Sequence, residues 1–406
     1  LLSLVSLVCL ISPAALQAGT PDIDIPFEKY VLGNGLTVLV HEDHKTPIVA
    51  VGVWYHVGSK DEPEGKTGFA HLFEHIMFEG SEHYDAAFSA PLEQVGATSF
   101  NGTTWLDRTN FFVNVPTPAL ELALWLESDR MGYLLAAVTQ EKLDRERSVI
   151  KNEKREADDQ PYGKAVYHIL EGLFPPGHPY RHPAIGSIED LDAASLEDFH
   201  NWFDGYYGAA NAVLVLAGDI EMAKGRQLAE KYFGDIPPGP PVPRLKTWVP
   251  GREHDTLEVI YDKVPQARSY RMWAVPGWTQ KDRLLLQLAA SVLGDGKNSR
   301  LYEALVNELQ YAVSVSVEVE PFELASLFSI DTTLRTGTAI GQVNEIIDQE
   351  LANFLRNGPS QVELDRARTK INASIIRGLE RVGGFNGKAT TLAQGELYDG
   401  SPDFYK

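Results

Sequence analysis

The run His71-Leu72-Phe73-Glu74-His75 places two imidazoles and a carboxylate within five positions, and Glu153 follows 78 residues after His75. On a helix, side chains four apart project from one face, roughly 6 Å apart along the axis. Imidazoles at that spacing can converge on one metal ion. Glu74 lies on the same side, one residue before His75, within reach of a water held by that metal. Zinc in a catalytic site typically takes three protein ligands and keeps one position open for water. The set therefore reads as a zinc hydrolase: two neutral nitrogen ligands, a carboxylate base and a distant carboxylate to complete the ligands. The competing reading is two partly buried helix histidines satisfied by their neighbours. Against it stand the flanks. Phe69, Leu72, Phe73, Ile76 and Met77 recur at helical spacing and Gly80 is a natural terminator. A polar stripe on an otherwise packed helix needs a reason of its own.

The third ligand comes from downstream. Residues 140–159 read as a strongly charged helix whose sparse apolar contacts are Leu143, Val149 and Ile150. Glu146 and Glu153 are seven apart, two turns, and so share a face. A charge run of this sort is ordinarily a solvated helix surface, which accounts for Lys154 and Glu156. It accounts for Glu153 only if the histidines lack a partner.

The pattern His71-x-x-Glu74-His75, followed by Glu146 and then Glu153, resembles the inverted zinc motif of the pitrilysin-like metallopeptidases, in the two-domain arrangement of the mitochondrial processing peptidases. Further segments are similar: residues 51–62 (VGVWYHVGSKDE), Asn101-Gly102-Thr103-Thr104, His178-Pro179-Tyr180 before Ile185-Gly186, and residues 212–219 (AVLVLAGD). The resemblance is strong over residues 25–235 and weak beyond. It implies one Zn2+ per chain held by His71, His75 and Glu153, with Glu74 as the base and Glu146 as a carboxylate that orients a ligand histidine. It also places Asn101 on an edge strand of the active site, where the family pairs with substrate backbone.

With 406 residues the chain has room for two or three domains. Its hydrophobic content of 44% and charged content of 23% are ordinary for a globular protein. A net charge of −20 argues against nucleic acid, since phosphate binding needs a basic surface. It suits cationic peptides, though solubility explains an acidic surface equally well. The single cysteine, Cys9, lies in the apolar run of residues 1–16, too short to span a bilayer. Leu16-Gln17-Ala18 before Gly19 resembles a cleavage site, so residues 1–18 read as a signal peptide whose start is missing, with export to the periplasm or secretion expected. The mature chain then has no cysteine, which removes thiol catalysis and thiolate metal sites.

The elements needed to position these residues follow from the pattern. Asn34-Gly35 is a turn before a strand at residues 36–40. Residues 48–57 form a nearly continuous apolar strand suited to a buried sheet position. After the histidine helix come a strand at 110–115, a helix from about 118 to 131, the charged helix, a loop at 178–186 in which His178 and His182 read as turn or packing residues, helix over most of 188–206, a strand at 212–217 and a helix at 222–233. Strands and helices mix without a strict βαβα rhythm, which predicts an α+β fold. Two similar domains are expected, each a mostly antiparallel sheet packed against helices. The first spans 24–234. A stiff linker follows at 235–251, rich in proline, and a related metal-free domain occupies 252–406.

In that second domain, residues 271–276 resemble the strand at 53–57, and residues 284–293 resemble the histidine helix. If Gly296 matches Gly80, the ligand positions hold Gln287, Ala290 and Ser291, which cannot bind zinc. The chain stops in what reads as the middle of this domain, so its last helices are expected beyond Lys406. The family's second half carries an arginine in a Ser-Arg-Leu context and a tyrosine shortly after, both gripping substrate. Ser299-Arg300-Leu301 matches, but the tyrosine position falls on Val313, two residues from Tyr311. Arg300 reads equally as a salt-bridge arginine. An incomplete clamp implies division of labour between subunits, as in two-chain relatives, hence a heterodimer with a related zinc-free chain, or a homodimer.

The reading from sequence is thus a zinc endopeptidase acting on extended or unfolded peptides, with no nucleic acid and no membrane span. The alternatives are a non-catalytic assembly subunit or a peptide-binding protein of the same fold with a structural zinc. A structural site is closed by four protein ligands, and no fourth candidate stands out.

Overall fold

A computed structural model describes residues 23–406. The apolar run with Cys9, read as an export signal, lies outside the described residues. In the first half the order is β1 (Glu28–Val31), β2 (Thr37–Glu42), β3 (Ile48–Tyr55), α1 (Phe69–Ile76), α2 (Ser89–Gln94), β4 (Thr98–Thr104), β5 (Thr109–Pro116), α3 (Leu120–Tyr133), α4 (Gln140–Asp159), α5 (Ala165–Leu173), α6 (Ile188–Ala193), α7 (Leu196–Tyr206), β6 (Ala212–Gly218) and α8 (Met222–Phe233). The second half holds β7 (Arg268–Val275), α9 (Lys281–Gly294), α10 (Arg300–Tyr302, continued by a π-helical turn), β8 (Ala312–Glu320), β9 (Ser326–Leu334), α11 (Ile340–Asn357), α12 (Gln361–Gly378) and α13 (Lys388–Asp399).

The first six strands form one sheet in the order β1-β2-β6-β3-β5-β4. Only the β2–β6 pair is parallel; the others are antiparallel. This is the α+β layering expected from the sequence. The continuous apolar reading of β3 has a direct cause, because both its faces are covered. Val49, Val51, Val53 and Tyr55 face the helices, while Ala50 and Trp54 face the other way. Alternate residues of β6 divide in the same manner.

The element covering that second face comes from the far end of the chain. Ala389, Leu392, Ala393 and Leu397 of α13 pack on Leu39, Ala50, Trp54, Val213 and Val215. A domain boundary drawn at the proline-rich segment therefore separates the sequence more cleanly than the structure, since α13 belongs to the second half by position and to the first sheet by packing. Residues 237–267 carry neither helix nor strand.

The repeat inferred from sequence is visible in the strands. The second sheet runs β7-β9-β8, all antiparallel, matching β3-β5-β4 of the first. The helix after β7 is α9, as the helix after β3 is α1. The two halves are joined by a shared apolar cluster in which Leu170, Leu173, Phe174 and Tyr180 meet Phe322, Leu324 and Leu327. Polar contacts surround it: the Glu323 amide donates to Asp107 at 2.9 Å and His56 Nε2 lies 2.8 Å from the Glu323 carboxylate. No helix among the described residues is long and apolar enough to cross a membrane.

Because Leu392 is fully buried between α13 and the first sheet, Leu392→Ala is expected to cost about 2–5 kcal/mol. Urea denaturation followed by tryptophan fluorescence measures it. A loss below about 1 kcal/mol would show that α13 does not hold the back of that sheet.

Candidate metal centre

The histidine helix α1 is two turns long. Phe69, Ala70, Leu72, Phe73 and Ile76 are buried in the main core, where Phe73 stacks on Phe199 at 4.3 Å between ring centroids. That apolar stripe fixes the rotation of the helix and turns His71, Glu74 and His75 toward α4. The N-cap is Gly68, with φ +87°, and it has no side chain to cap the helix. Glu62 supplies that function from outside: its two carboxylate oxygens accept the amides of Gly68 at 3.0 Å and Ala70 at 2.7 Å. The loop carrying Ile185 and Gly186 presses on the same point. A Cβ at position 68 would sit 2.8 Å from the Ile185 carbonyl oxygen. His182, read as a packing residue, has Nδ1 3.6 Å from the Glu62 carboxylate.

Helix α4 spans the range expected from its charge pattern and begins at Thr139, whose hydroxyl accepts the Lys142 amide at 3.2 Å. Leu143 and Ile150 are fully buried, as expected. Val149 is not: it is exposed, because α4 offers only a narrow seam to the core. Glu146 and Glu153 share the face turned to α1. Glu153 Oε2 lies 3.5 Å from His75 Nε2 and 4.0 Å from His71 Nε2. Glu146 Oε2 lies 3.5 Å from the other nitrogen of the same ring, His75 Nδ1. One ligand atom from each of His71, His75 and Glu153 lies within 4.8 Å of the others. The two imidazole rings stand edge to face, with centroids 4.8 Å apart.

Electrostatics follow the packing. Burial pushes His71 down to about 4, with His75 adding to the effect, so its ring is neutral near pH 7. For His75 burial also acts downward, but the Glu146 contact and the charges of Glu153 and Glu74 outweigh it and raise its pKa. Burial raises Glu74, opposed by the neighbouring Thr104 hydroxyl and the nearby charges of His75 and Arg108. Burial pushes Glu62 well above the usual carboxylate range, opposed by the amides it accepts. Two polar atoms here are buried without a hydrogen-bond partner, Glu74 Oε2 and His71 Nδ1.

The cleft is lined by His71, Glu74, His75, Phe78, Glu79, Asn101, Glu146 and Glu153. Asn101 thus sits beside the cluster, on β4, the end strand of the sheet. Gly102 next to it lets the Phe78 ring lie against the strand, since a Cβ there would meet that ring at 2.9 Å. Phe78 and Glu79 were not singled out by sequence; lying just after a helical histidine pair was their only signal. Arg300 is elsewhere. Of its two readings the structure displays the salt bridge, with Nε and Nη2 on the Glu363 carboxylate at 2.6 and 2.8 Å, and it is not among the residues lining the cleft.

Comparison with known proteins places these halves in one family. Residues 37–174 match the model described as "Insulinase (Peptidase family M16)", and residues 193–371 match "Peptidase M16 inactive domain". The chain is 27% identical over 361 residues to zinc protease PqqE of Helicobacter pylori, covering 87% of this chain and 80% of that protein. It is 24% identical over 364 residues to the mitochondrial-processing peptidase subunit beta of Blastocladiella emersonii, covering 86% and 75%. Among solved structures, a protease from Helicobacter pylori is similar with a TM-score of 0.79 and 26% identity, over 88% of this chain and 86% of that one. A peptidase M16 inactive domain from Pseudomonas fluorescens shares the fold with a TM-score of 0.82 at 20% identity, over 94% and 89%.

Gly68→Ala forces a Cβ into the left-handed region and against the Ile185 carbonyl, so it is expected to destabilise the protein by more than about 1 kcal/mol. Chemical denaturation of the variant tests this. Parental stability would mean that the start of α1 is free to shift.

Proposed function

Because the chain belongs to peptidase family M16, we propose that it is a zinc-dependent endopeptidase that cleaves extended peptide segments. One observation carries the reading: His71, His75 and Glu153 bring three ligand atoms within 4.8 Å of one another, with the unpartnered Glu74 Oε2 in the same cleft.

The donor set suits zinc. Two imidazoles and one carboxylate from the protein are the composition of an open catalytic site. A neutral His71 is ready to donate a lone pair. Glu146 against His75 Nδ1 leaves Nε2 of that ring as the ligand atom and fixes the ring's orientation. When bound, zinc would supply Lewis acidity toward the scissile carbonyl and lower the pKa of a bound water. Glu74 then has one task, at Oε2: to accept a proton from the attacking water and return it to the leaving amine. Among the described residues that oxygen has no hydrogen-bond partner.

Substrate would lie along β4. Among the described residues only β5 pairs with that strand in the sheet, which leaves its other edge open to an extended peptide, although the Gly102 amide donates to Asn101 Oδ1 at 2.9 Å. Recognition through backbone favours unfolded segments over folded proteins. The part of the chain matched as an inactive domain, 193–371, contains none of His71, Glu74, His75 or Glu153, so that description does not bear on the cluster. Export, read from residues 1–18 alone, is part of the same proposal. So is a companion chain, which the likeness to a peptidase named as a subunit supports; full activity of the purified single chain as a monomer would remove it.

Metal analysis is expected to return one zinc per chain, lost in His71→Ala and Glu153→Ala. Chelation should abolish cleavage of a quenched fluorescent peptide, and added zinc should restore it. Glu74→Gln is expected to keep its zinc while kcat falls by about 10²–10⁴ or more. Parental turnover in Glu74→Gln would overturn the role given to that carboxylate.

A further inference from the structure

Helix α1 places its ligand residues at its third and seventh positions, so His71 lies in the first turn, where helices fray and where amides lack internal partners. The usual remedy is a side chain at the N-cap. Here the N-cap is glycine. Glu62 provides the missing acceptors from six residues upstream, and it does so with both oxygens: one on the Gly68 amide and one on the Ala70 amide, the residue immediately before His71. Its side chain has no exposed surface. A carboxylate anchored at two points sets both the axial position and the rotation of the turn it caps. A single hydroxyl at an N-cap sets neither so firmly.

We propose that Glu62 is a positioning residue of the metal centre, acting through the first turn of α1 to hold His71 in line with His75 and Glu153. The inference rests on the zinc reading above and adds a residue to it. Glutamine at 62 keeps one acceptor oxygen but turns an amide N–H₂ toward the second backbone N–H. Donor then faces donor, and the turn must move. Aspartate keeps both acceptors and withdraws them by one methylene.

The test is zinc affinity of the full chain, by competition with a fluorescent chelator, in the parent, Glu62→Gln, Glu62→Asp and Ser360→Ala. Ser360 caps α12 in the second half, with its hydroxyl accepting the Glu363 amide, and serves as a control for simple loss of a helix cap. Glu62→Gln is expected to weaken zinc binding about tenfold or more, with faster hydrogen exchange at the amides of residues 69–72. Glu62→Asp should fall between it and the parent. Ser360→Ala should lower the melting temperature while leaving the zinc Kd unchanged.

Parental zinc affinity in Glu62→Gln overturns the proposal, as does an equal loss in Ser360→Ala. If Glu62→Gln does not fold, parental affinity in Glu62→Asp overturns it instead. Failure of the parent itself to bind zinc would sink the metal-centre reading, a separate result. In that case the exchange measurement still decides whether Glu62 orders the first turn, and unchanged exchange in the variants counts against it.

Discussion

Two imidazoles on a helix only two turns long can meet a carboxylate on a neighbouring helix only if the short helix neither rotates nor slides. Most of what surrounds α1 serves that constraint. Its apolar stripe is sunk in an aromatic core of Phe73, Phe199 and Tyr207, which fixes rotation. Its first turn is pinned by Glu62 and crowded by the Ile185–Gly186 loop, which fixes position along the axis. Helix α4 is held by its narrow apolar seam, by its cap and by hydrogen bonds, with Arg147 donating to the carbonyls of Leu191 and Ala194 at 2.8 and 2.6 Å. The cluster is therefore preorganised by packing on one side and by hydrogen bonds on the other.

The second half contributes support of a different kind. It repeats the three-strand core of the first and carries a helix in the place of α1; if Gly296 matches Gly80, that helix has Gln287, Ala290 and Ser291 where His71, Glu74 and His75 stand in the first half. Its own material is used to brace the first half. Helix α13 covers the back of the six-stranded sheet, and the loop between β8 and β9 seats Glu323 against His56 and Asp107. The β4–β5 turn carrying Asp107 leads directly into the edge strand beside the cleft. A loop distant in sequence thus braces the turn that joins this edge strand to β5.

Elements with a strong period are legible in the sequence. The charged helix, the helix at 222–233 and the buried strands β3 and β6 lie where the pattern puts them, because each has a one-dimensional signature: helical spacing, caps, or an unbroken apolar run. Val149 misleads because periodicity marks a residue as apolar without saying whether a neighbour reaches it. Arg300 stays open in the sequence for a similar reason. A three-residue context cannot tell a guanidinium aimed at substrate from one paired with Glu363, sixty-three positions away.

The sequence by itself determined which residues could do chemistry, since ligand type and helical spacing are local properties of the chain. It also pointed to two related halves, the first of which carries His71, Glu74, His75 and Glu153. Only the tertiary structure decided that Glu153 of α4 comes within 3.5 Å of His75, that a glutamate outside the motif caps the ligand helix, and that the end of the chain returns to cover the first sheet. Those are long-range contacts, set by how faces pack in three dimensions, and no local periodicity encodes them.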